Sequence, residues 1–289
     1  MATAGQGAQV PQGGGNPSPP TYRIQFDHIT KRYEASPGED EAPVVLDDIS
    51  FGIEAGEFCV FLGASGCGKS TLMNIAAGFL DATSGTVLVD GEPVVGRPGK
   101  DRGVVFQNAD EAVFPWLTVE GNIAYGLKAQ KVPKEQRPAI IERCVRLSNL
   151  EGHEKKYPSE LSGGMRQRLQ IARTLAVDPE MLIMDEPFGA LDTQTRQVMQ
   201  DDLLGMWRGT GMTIMFVTHD VNEAVRLGQR IFILSAAPDT HIYRELRIAD
   251  EHPRDVTHGH LREVADQVEL WVKEAASIHQ ADVHQGEAI

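Results

Sequence analysis

The sequence predicts an α/β fold, a mostly parallel sheet flanked by helices, with a smaller antiparallel β lobe and a helical lobe attached. Three observations lead there. Short uninterrupted apolar runs at 58–62, 181–184 and 213–218 have the length and composition of strands buried on both faces, and helical patterns alternate with them across 58–107 and 165–240. Residues 22 to about 60 and 84–95 instead alternate apolar with polar side chains, as at Ile24, Phe26 and Ile29 or Val87 and Val89, the period of an antiparallel sheet with one wet face. Residues 118–156 place Ala139, Ile140, Cys144 and Leu147 on one helical face.

In chain order, residues 1–21 are rich in Gly, Pro, Gln and Ala and hold too few apolar side chains to bury a core, so a disordered tail is expected. The alternating stretch that ends at Tyr33 opens the antiparallel lobe, and the acidic segment 36–43 interrupts it as a solvated insertion. The strand at 58–62 leads into GASGCGKS at 63–70 and then TLMNIAAGF, giving a strand, a glycine-rich loop and a helix. LSGGMRQR at 161–168 starts another helical pattern. The later strand runs deliver Asp185 and Glu186, then His219 and Asp220, at their ends. Past Leu246, the apolar residues Leu261, Val264, Val268, Trp271, Val272 and Ala275 recur at helical spacing, so 261–277 is expected to be one amphipathic helix packed on the core.

Composition narrows the function. With 41 acidic against 27 basic residues and a net charge of −14, the chain lacks the basic face that neutralises phosphates, and no nucleic acid is expected as its main partner. No window approaches the ~18 consecutive apolar residues needed to cross a bilayer, so any membrane contact is expected to pass through a partner. The N-terminus has no charged residue before Arg23 and no apolar core, unlike a secretory signal. Cys59, Cys67 and Cys144 have neither disulfide nor metal spacing, which suits a reducing cytoplasm. His252, His258 and His260 lack the accompanying Cys or carboxylate spacing of a metal site.

Chemistry concentrates in three places. In 63–70, Gly63, Gly66 and Gly68 let the backbone curl so that successive N–H groups and a helix N-terminus face an anion, with Ala64, Ser65, Cys67 and Thr71 contributing to the same cradle. Lys69 would reach the β and γ phosphates of a nucleotide, and the Ser70 hydroxyl would ligate Mg²⁺. Asp185 and Glu186 are adjacent carboxylates closing an apolar run, costly unless they face a cation or water. Asp185 fits a partner of Mg²⁺, and Glu186 fits a base that deprotonates an attacking water. Ser162, Gly163 and Gly164 form a second anion-facing helix start. Cys67 lies near a helix start, where a thiol pKa can fall and permit redox control, although a permitted filler also suits that position.

These elements, in this order and at this spacing, resemble the ATP-binding cassette (ABC) proteins over about residues 22–246. The resemblance implies a P-loop NTPase (RecA-like) core with an antiparallel β subdomain and a helical subdomain at about 108–164, followed by a C-terminal extension at 247–289. It implies ATP and Mg²⁺ as ligands and a homodimer in which Ser162, Gly163 and Gly164 of one copy close on the γ-phosphate held by Lys69 and Ser70 of the other. It also implies that Gln107 senses Mg²⁺ and water, His219 contacts the γ-phosphate, Asp192 crosses the dimer interface, and Tyr33 stacks on adenine.

FPWLTV at 114–119, DEPFGALDTQTR at 185–196 and FVTHDVNEAVRLGQRI at 216–231 resemble the importer branch that serves nitrate, sulfonate and taurine. That likeness implies an ATPase bound to integral membrane permease subunits at the cytoplasmic face of the inner membrane, with an external solute-binding protein. Two departures stand out. QNADEAVFP at 107–115 is about two residues longer than the branch's usual spacing and adds Asp110 and Glu111, and Gln229 stands where the branch commonly has Asp. A soluble ABC ATPase of DNA repair, chromosome or translation work is the alternative, but it usually needs a long coiled coil, a zinc hook or a second cassette. An unrelated phosphate-loop kinase leaves LSGGMRQR and His219 unexplained.

Overall fold

A computed structural model describes residues 22–33 and 43–286, with side chains described as far as residue 278. The expected tail at 1–21 and most of the acidic segment 36–43 lie outside the described residues. The chain runs β1 (Tyr22–Arg32), β2 (Val44–Glu54), β3 (Phe58–Leu62), α1 (Lys69–Ala77), β4 (Ser84–Val89), β5 (Glu92–Pro93), β6 (Arg102–Val105), α2 (Ala109–Ala112), α3 (Val119–Ala129), α4 (Arg137–Leu147) and α5 (Gly163–Leu175). It continues through β7 (Met181–Asp185), α6 (Thr193–Thr210), β8 (Thr213–Thr218), α7 (Val221–Leu227), β9 (Arg230–Leu234), β10 (Ile242–Arg247) and α8 (Gly259–Gly286).

Two sheets form, in the order β2-β1-β4-β5 and β10-β9-β3-β8-β7-β6. The first is antiparallel. In the second, β3 runs parallel to β8 and β9, and β7 runs parallel to β6 and β8, while β10 closes the edge antiparallel to β9. The apolar runs read as doubly buried strands because each face meets a different core. Cys59, Phe61, Met181, Ile183, Met215 and Val217 pack with α1 and the antiparallel sheet. Phe58, Val60, Leu182, Met184, Ile214 and Phe216 pack with α5, α6, α7 and α8. Phe51 links the two sheets, its ring 4.3 Å from Phe26 and 4.9 Å from Phe61.

Strand register places the site. Leu62 pairs with Thr218, Asp185 with Val217, and Val105 with Met184. The carboxyl ends of β3, β8, β7 and β6 therefore stop at one level, the edge where open parallel sheets hold their ligands.

The predicted C-terminal helix is present and longer than expected, running Gly259–Gly286. Val268 and Ala275 are buried against β9 and α7, the Ala236 N–H donates to the Ala275 carbonyl at 3.2 Å, and Tyr243 donates to Glu274 at 3.0 Å. Before it, Arg254 is buried and donates to the carbonyls of Val225, Gly228, Ile248 and Asp250, which clamps the end of α7. No helix among the described residues is long and apolar enough to cross a membrane.

Candidate active site

β3 is buried along its whole length and hands the chain to the loop 63–68. Gly66 and Gly68 turn through left-handed conformations, with φ of 81° and 89°, which a side chain would strain. At Gly68 space is tight as well, because a Cβ would stand 3.0 Å from Leu46 Cδ2 and 3.3 Å from the Val45 carbonyl oxygen. The loop curls around Lys69, which is buried, with Nζ donating to the Gly63 and Ala64 carbonyls at 2.8 Å each. Gly68 caps α1 without a side chain, so no cap hydrogen bond shields the first N–H groups of that helix.

Ser70 Oγ donates to Asp185 Oδ2 at 3.0 Å, joining the first turn of α1 to the end of β7. Burial pushes the Asp185 carboxyl above its usual pKa, with the neighbouring Glu186 charge acting the same way and the Ser70 bond opposing it. A cation beside this pair would reverse that penalty, and the donor set of carboxylate, hydroxyl and the nearby Gln107 amide is the oxygen chemistry Mg²⁺ takes.

Glu186 carries a positive φ of 42°, an uncommon conformation for a residue with a side chain. It is held by a bond from its own N–H to the Val217 carbonyl at 2.9 Å and by its carbonyl accepting from Gly189 N at 3.0 Å. Its Oε2 lies 2.9 Å from Nδ1 of His219, at the end of β8. A Cβ built on Gly189 would stand 3.5 Å from Gln107 Nε2 and 3.8 Å from Glu186 Oε2, so the glutamine amide and the carboxylate both flank this glycine. Lys69, Ser70, Asp185, Glu186, His219 and Gln107 thus come from four neighbouring strand ends.

Tyr33 sits beside the loop, half exposed, with its hydroxyl 3.4 Å from Thr71 Oγ1 and Lys31 Nζ 5.3 Å from its ring centre. Ser162 caps α5 by accepting from Met165 N at 3.3 Å. A Cβ on Gly164 would meet Thr195 at 2.7 Å, so the segment 162–164 neighbours the start of α6. Among the described residues no hydrogen bond joins 162–164 to the loop 63–70. Asp192 caps α6, its Oδ1 accepting from Gln194 N at 3.1 Å and Thr195 N at 3.0 Å. These bonds hold its carboxyl below the usual carboxylate range, the Thr195 backbone bond first among them.

The notion of a lowered Cys67 pKa fails. The thiol is buried, and that burial raises its pKa despite the nearby Lys69 charge. A buried protonated thiol packed in the loop wall is filler, not a redox handle.

Several neighbours of the site escaped sequence reasoning. The segment 107–115 contains α2, capped by Asn108, which accepts from Asp110 N at 3.1 Å. Asp110 forms an ion pair with Arg166 of α5, and the Gln170 amide, turned to satisfy both groups, pairs with the Phe106 N–H and carbonyl at 2.6 and 3.1 Å. The cap could have been found from Asn followed by Ala-Asp-Glu; the ion pair had no local signal. Gln229 accepts from Phe58 N at 3.1 Å, so a neutral amide caps the start of β3. Glu223, a buried carboxylate bonded to Thr218 just before His219, carried no signal in the sequence.

A family model described as "ABC transporter" matches residues 46–189. A taurine import ATP-binding protein of Burkholderia pseudomallei is 49% identical over 218 residues, covering 75% of this chain and 82% of that protein. A nitrate import ATP-binding protein of a Synechocystis species is 46% identical over 230 residues, covering 78% and 85% respectively. Among solved structures, a dimeric post-hydrolysis state of an ATP-binding cassette bound to ADP and Pi superposes with a TM-score of 0.66 at 29% identity, covering 79% of this chain and all of that one.

Proposed function

This chain belongs to the ABC transporter family, and from that premise we propose that it is the ATP-hydrolysing subunit of an importer of a small solute of the nitrate, sulfonate or taurine type. The observation that carries the enzymatic part is the convergence of Lys69, Ser70, Asp185, Glu186 and His219 on one sheet edge, with Glu186 and His219 2.9 Å apart. The import part rests on relatives whose names state taurine and nitrate import.

ATP is the substrate. Loop N–H groups and the bare start of α1 cradle its phosphates, Lys69 pairs with the β and γ oxygens, and Tyr33 offers its ring to adenine. Magnesium, when bound, would be held by Ser70, Asp185 and Gln107 and would neutralise phosphate oxygens. Glu186 accepts the proton of the water whose oxygen attacks the γ phosphorus, while the bond from that phosphorus to the β-phosphate oxygen breaks. His219, steadied by Glu186, donates toward the γ-phosphate, and Gln107 orients the water.

Residues 22–246 form the ATPase unit, with a helical subdomain at about 108–164 and an extension at 247–289. Two copies enclose two ATP molecules, Ser162, Gly163 and Gly164 of each facing the phosphates of the other, with Asp192 at the seam. The pair drives integral membrane permease subunits at the cytoplasmic face of the inner membrane, fed by a solute-binding protein. Exposed aromatic residues support a docking surface near Gln107: Phe106, Trp116 and Tyr125 stand out of the core, and a hollow of about 220 Å³ opens between Phe106, Ala112, Tyr125 and Arg173.

Co-purification from detergent-solubilised membranes with a polytopic partner, and uptake lost when the gene is deleted, test the assignment. A protein that hydrolyses ATP yet leaves solute uptake unchanged on deletion is not this importer subunit.

A further inference from the structure

Beneath His219 lies a polar cluster that the hydrolytic scheme does not use. Glu223, on the first turn of α7, is buried, and so are Thr218 at the end of β8 and Gln200 on α6. Thr218 Oγ1 donates to Glu223 Oε2 at 2.5 Å, and Gln200 Nε2 donates to Glu223 Oε1 at 3.0 Å. The turn that carries His219 is tied at its other side as well. The Asp220 N–H donates to Thr218 Oγ1 at 3.0 Å, and Asp220 Oδ1 accepts from Glu223 N at 3.0 Å. Arg196, one turn into α6, donates through Nη1 to Asp220 Oδ2 at 3.4 Å and through Nη2 back to the Leu191 carbonyl at 3.1 Å.

A carboxylate in such a place is expensive. Burial raises the Glu223 pKa, with the Asp220 charge acting the same way and the Thr218 and Gln200 bonds opposing it, and an apolar side chain would fill the same space without that penalty. A purely structural role explains a well-packed residue but not where the bonds go. Among the described residues, every side-chain bond of Glu223 goes either to the turn 218–220 or to α6. The cluster fixes the histidine turn relative to the helix that begins at Asp192.

We propose that Glu223 is a positioning residue for His219, and that with Gln200 and Arg196 it makes the place of that ring follow the segment 189–192 at the start of α6. This rests on the reading of His219 given above and adds a dependence to it. Movement of the Asp192 segment, as when a second copy docks against it, reaches the histidine through Arg196–Asp220 and Gln200–Glu223. His219 then stands in its hydrolytic place only when α6 does.

A double-mutant cycle on the purified full chain separates this role from simple support. Glu223→Ala is expected to lower single-turnover ATP hydrolysis about tenfold to a hundredfold, the range for a displaced reacting group, with the Kd for ATP changed less than about twofold. In a His219→Ala background the same substitution should cost less than about twofold, because no ring remains to be misplaced. Glu223→Gln keeps the volume and the bond from Gln200 but presents a donor to Thr218. It folds on the same packing and should fall between parent and alanine, carrying the cycle if Glu223→Ala does not fold. Equal losses in both backgrounds, or no loss in the parent background, overturn the role of Glu223. A parent without ATP hydrolysis, or a His219→Ala protein as fast as the parent, instead overturns the reading of His219 on which the proposal stands.

Discussion

Replacing Arg254 with Met keeps an unbranched apolar stem and removes every donor, which makes it a sharp test of how the C-terminal segment is fastened. The guanidinium is 3% exposed and makes five bonds: Nε to Asp250 O at 2.9 Å, Nη1 to Val225 O at 3.0 Å and Gly228 O at 2.5 Å, and Nη2 to Ile248 O at 3.1 Å and Asp250 O at 2.8 Å. All acceptors are backbone carbonyls, two of them in the last turn of α7 and just past it. At about 1.5 kcal/mol for a charge-assisted bond the set contributes about 7 kcal/mol. Against this stands the burial of the guanidinium, which brings the Arg254 pKa down to about 10 despite the Asp250 charge. Arg254→Met is therefore expected to lower the unfolding free energy by about 4 kcal/mol, the scale for breaking a buried charged hydrogen-bond set and a large part of the total for a domain of this kind. Urea titration followed by circular dichroism measures it. Arg254→Lys, with three donors and no fork, should lose an intermediate amount. A loss below about 1 kcal/mol would mean that water satisfies those carbonyls as well as arginine does, and the account of the clamp would be wrong.

Three further outcomes are expected. Burial, reinforced by the Arg254 charge, holds the His252 pKa down to about 4, while its Nε2 meets the Leu227 carbonyl at 3.0 Å. The unfolded chain takes up a proton near the ordinary 6.5 and the folded one does not, so the stability tied to this ring is present above pH 6.5 and drains away as pH falls toward 4. Unfolding free energies measured between pH 7 and 5 should decline by about 1 kcal/mol from this group, discounted for partial solvent screening, and His252→Gln should flatten the slope. Glu186→Gln should retain ATP affinity and lower steady-state turnover about a hundredfold or more, the scale of a lost general base; turnover within a few fold of the parent would remove Glu186 from that role. Cys67, buried and with a raised pKa, should react with a thiol reagent at neutral pH no faster than the chain unfolds, and rapid labelling of the native protein would contradict the packing of the loop.

Much of the fold could be read from pattern because its central strands face two cores. The runs at 58–62 and 213–218 coincide with β3 and β8, and 181–184 stops one residue short of β7. Burial on both sides keeps polar residues out of the middle of such a segment. The long final helix was legible as a stripe, but its ends were not: only the interval in which the stripe is covered leaves a periodic mark, and α8 begins at Gly259 and runs on to Gly286. The chemical groups were legible through their spacing and through likeness to a family. The 2.9 Å contact of Glu186 with His219 was not, because it depends on β7 and β8 lying side by side and on a left-handed turn at Glu186. The same limit hid Glu223. Its partners come from β8 and from α6, and a buried carboxylate in a helix looks like a solvated one until the neighbouring layer is in place.

The last helix also sets a boundary on how far the chain can be trimmed. Val268 and Ala275 are covered by α7 and β9, while Leu270 is half exposed on the outer side. Ending the polypeptide near Leu246 would uncap this stripe's apolar bed and delete the arginine that ties down α7, leaving a sticky surface behind the segment that presents His219. Ending it beyond Ser277 spares every one of those contacts. A tag or fusion joined beyond Ser277 therefore leaves those contacts in place, and a cut a few turns further in removes them.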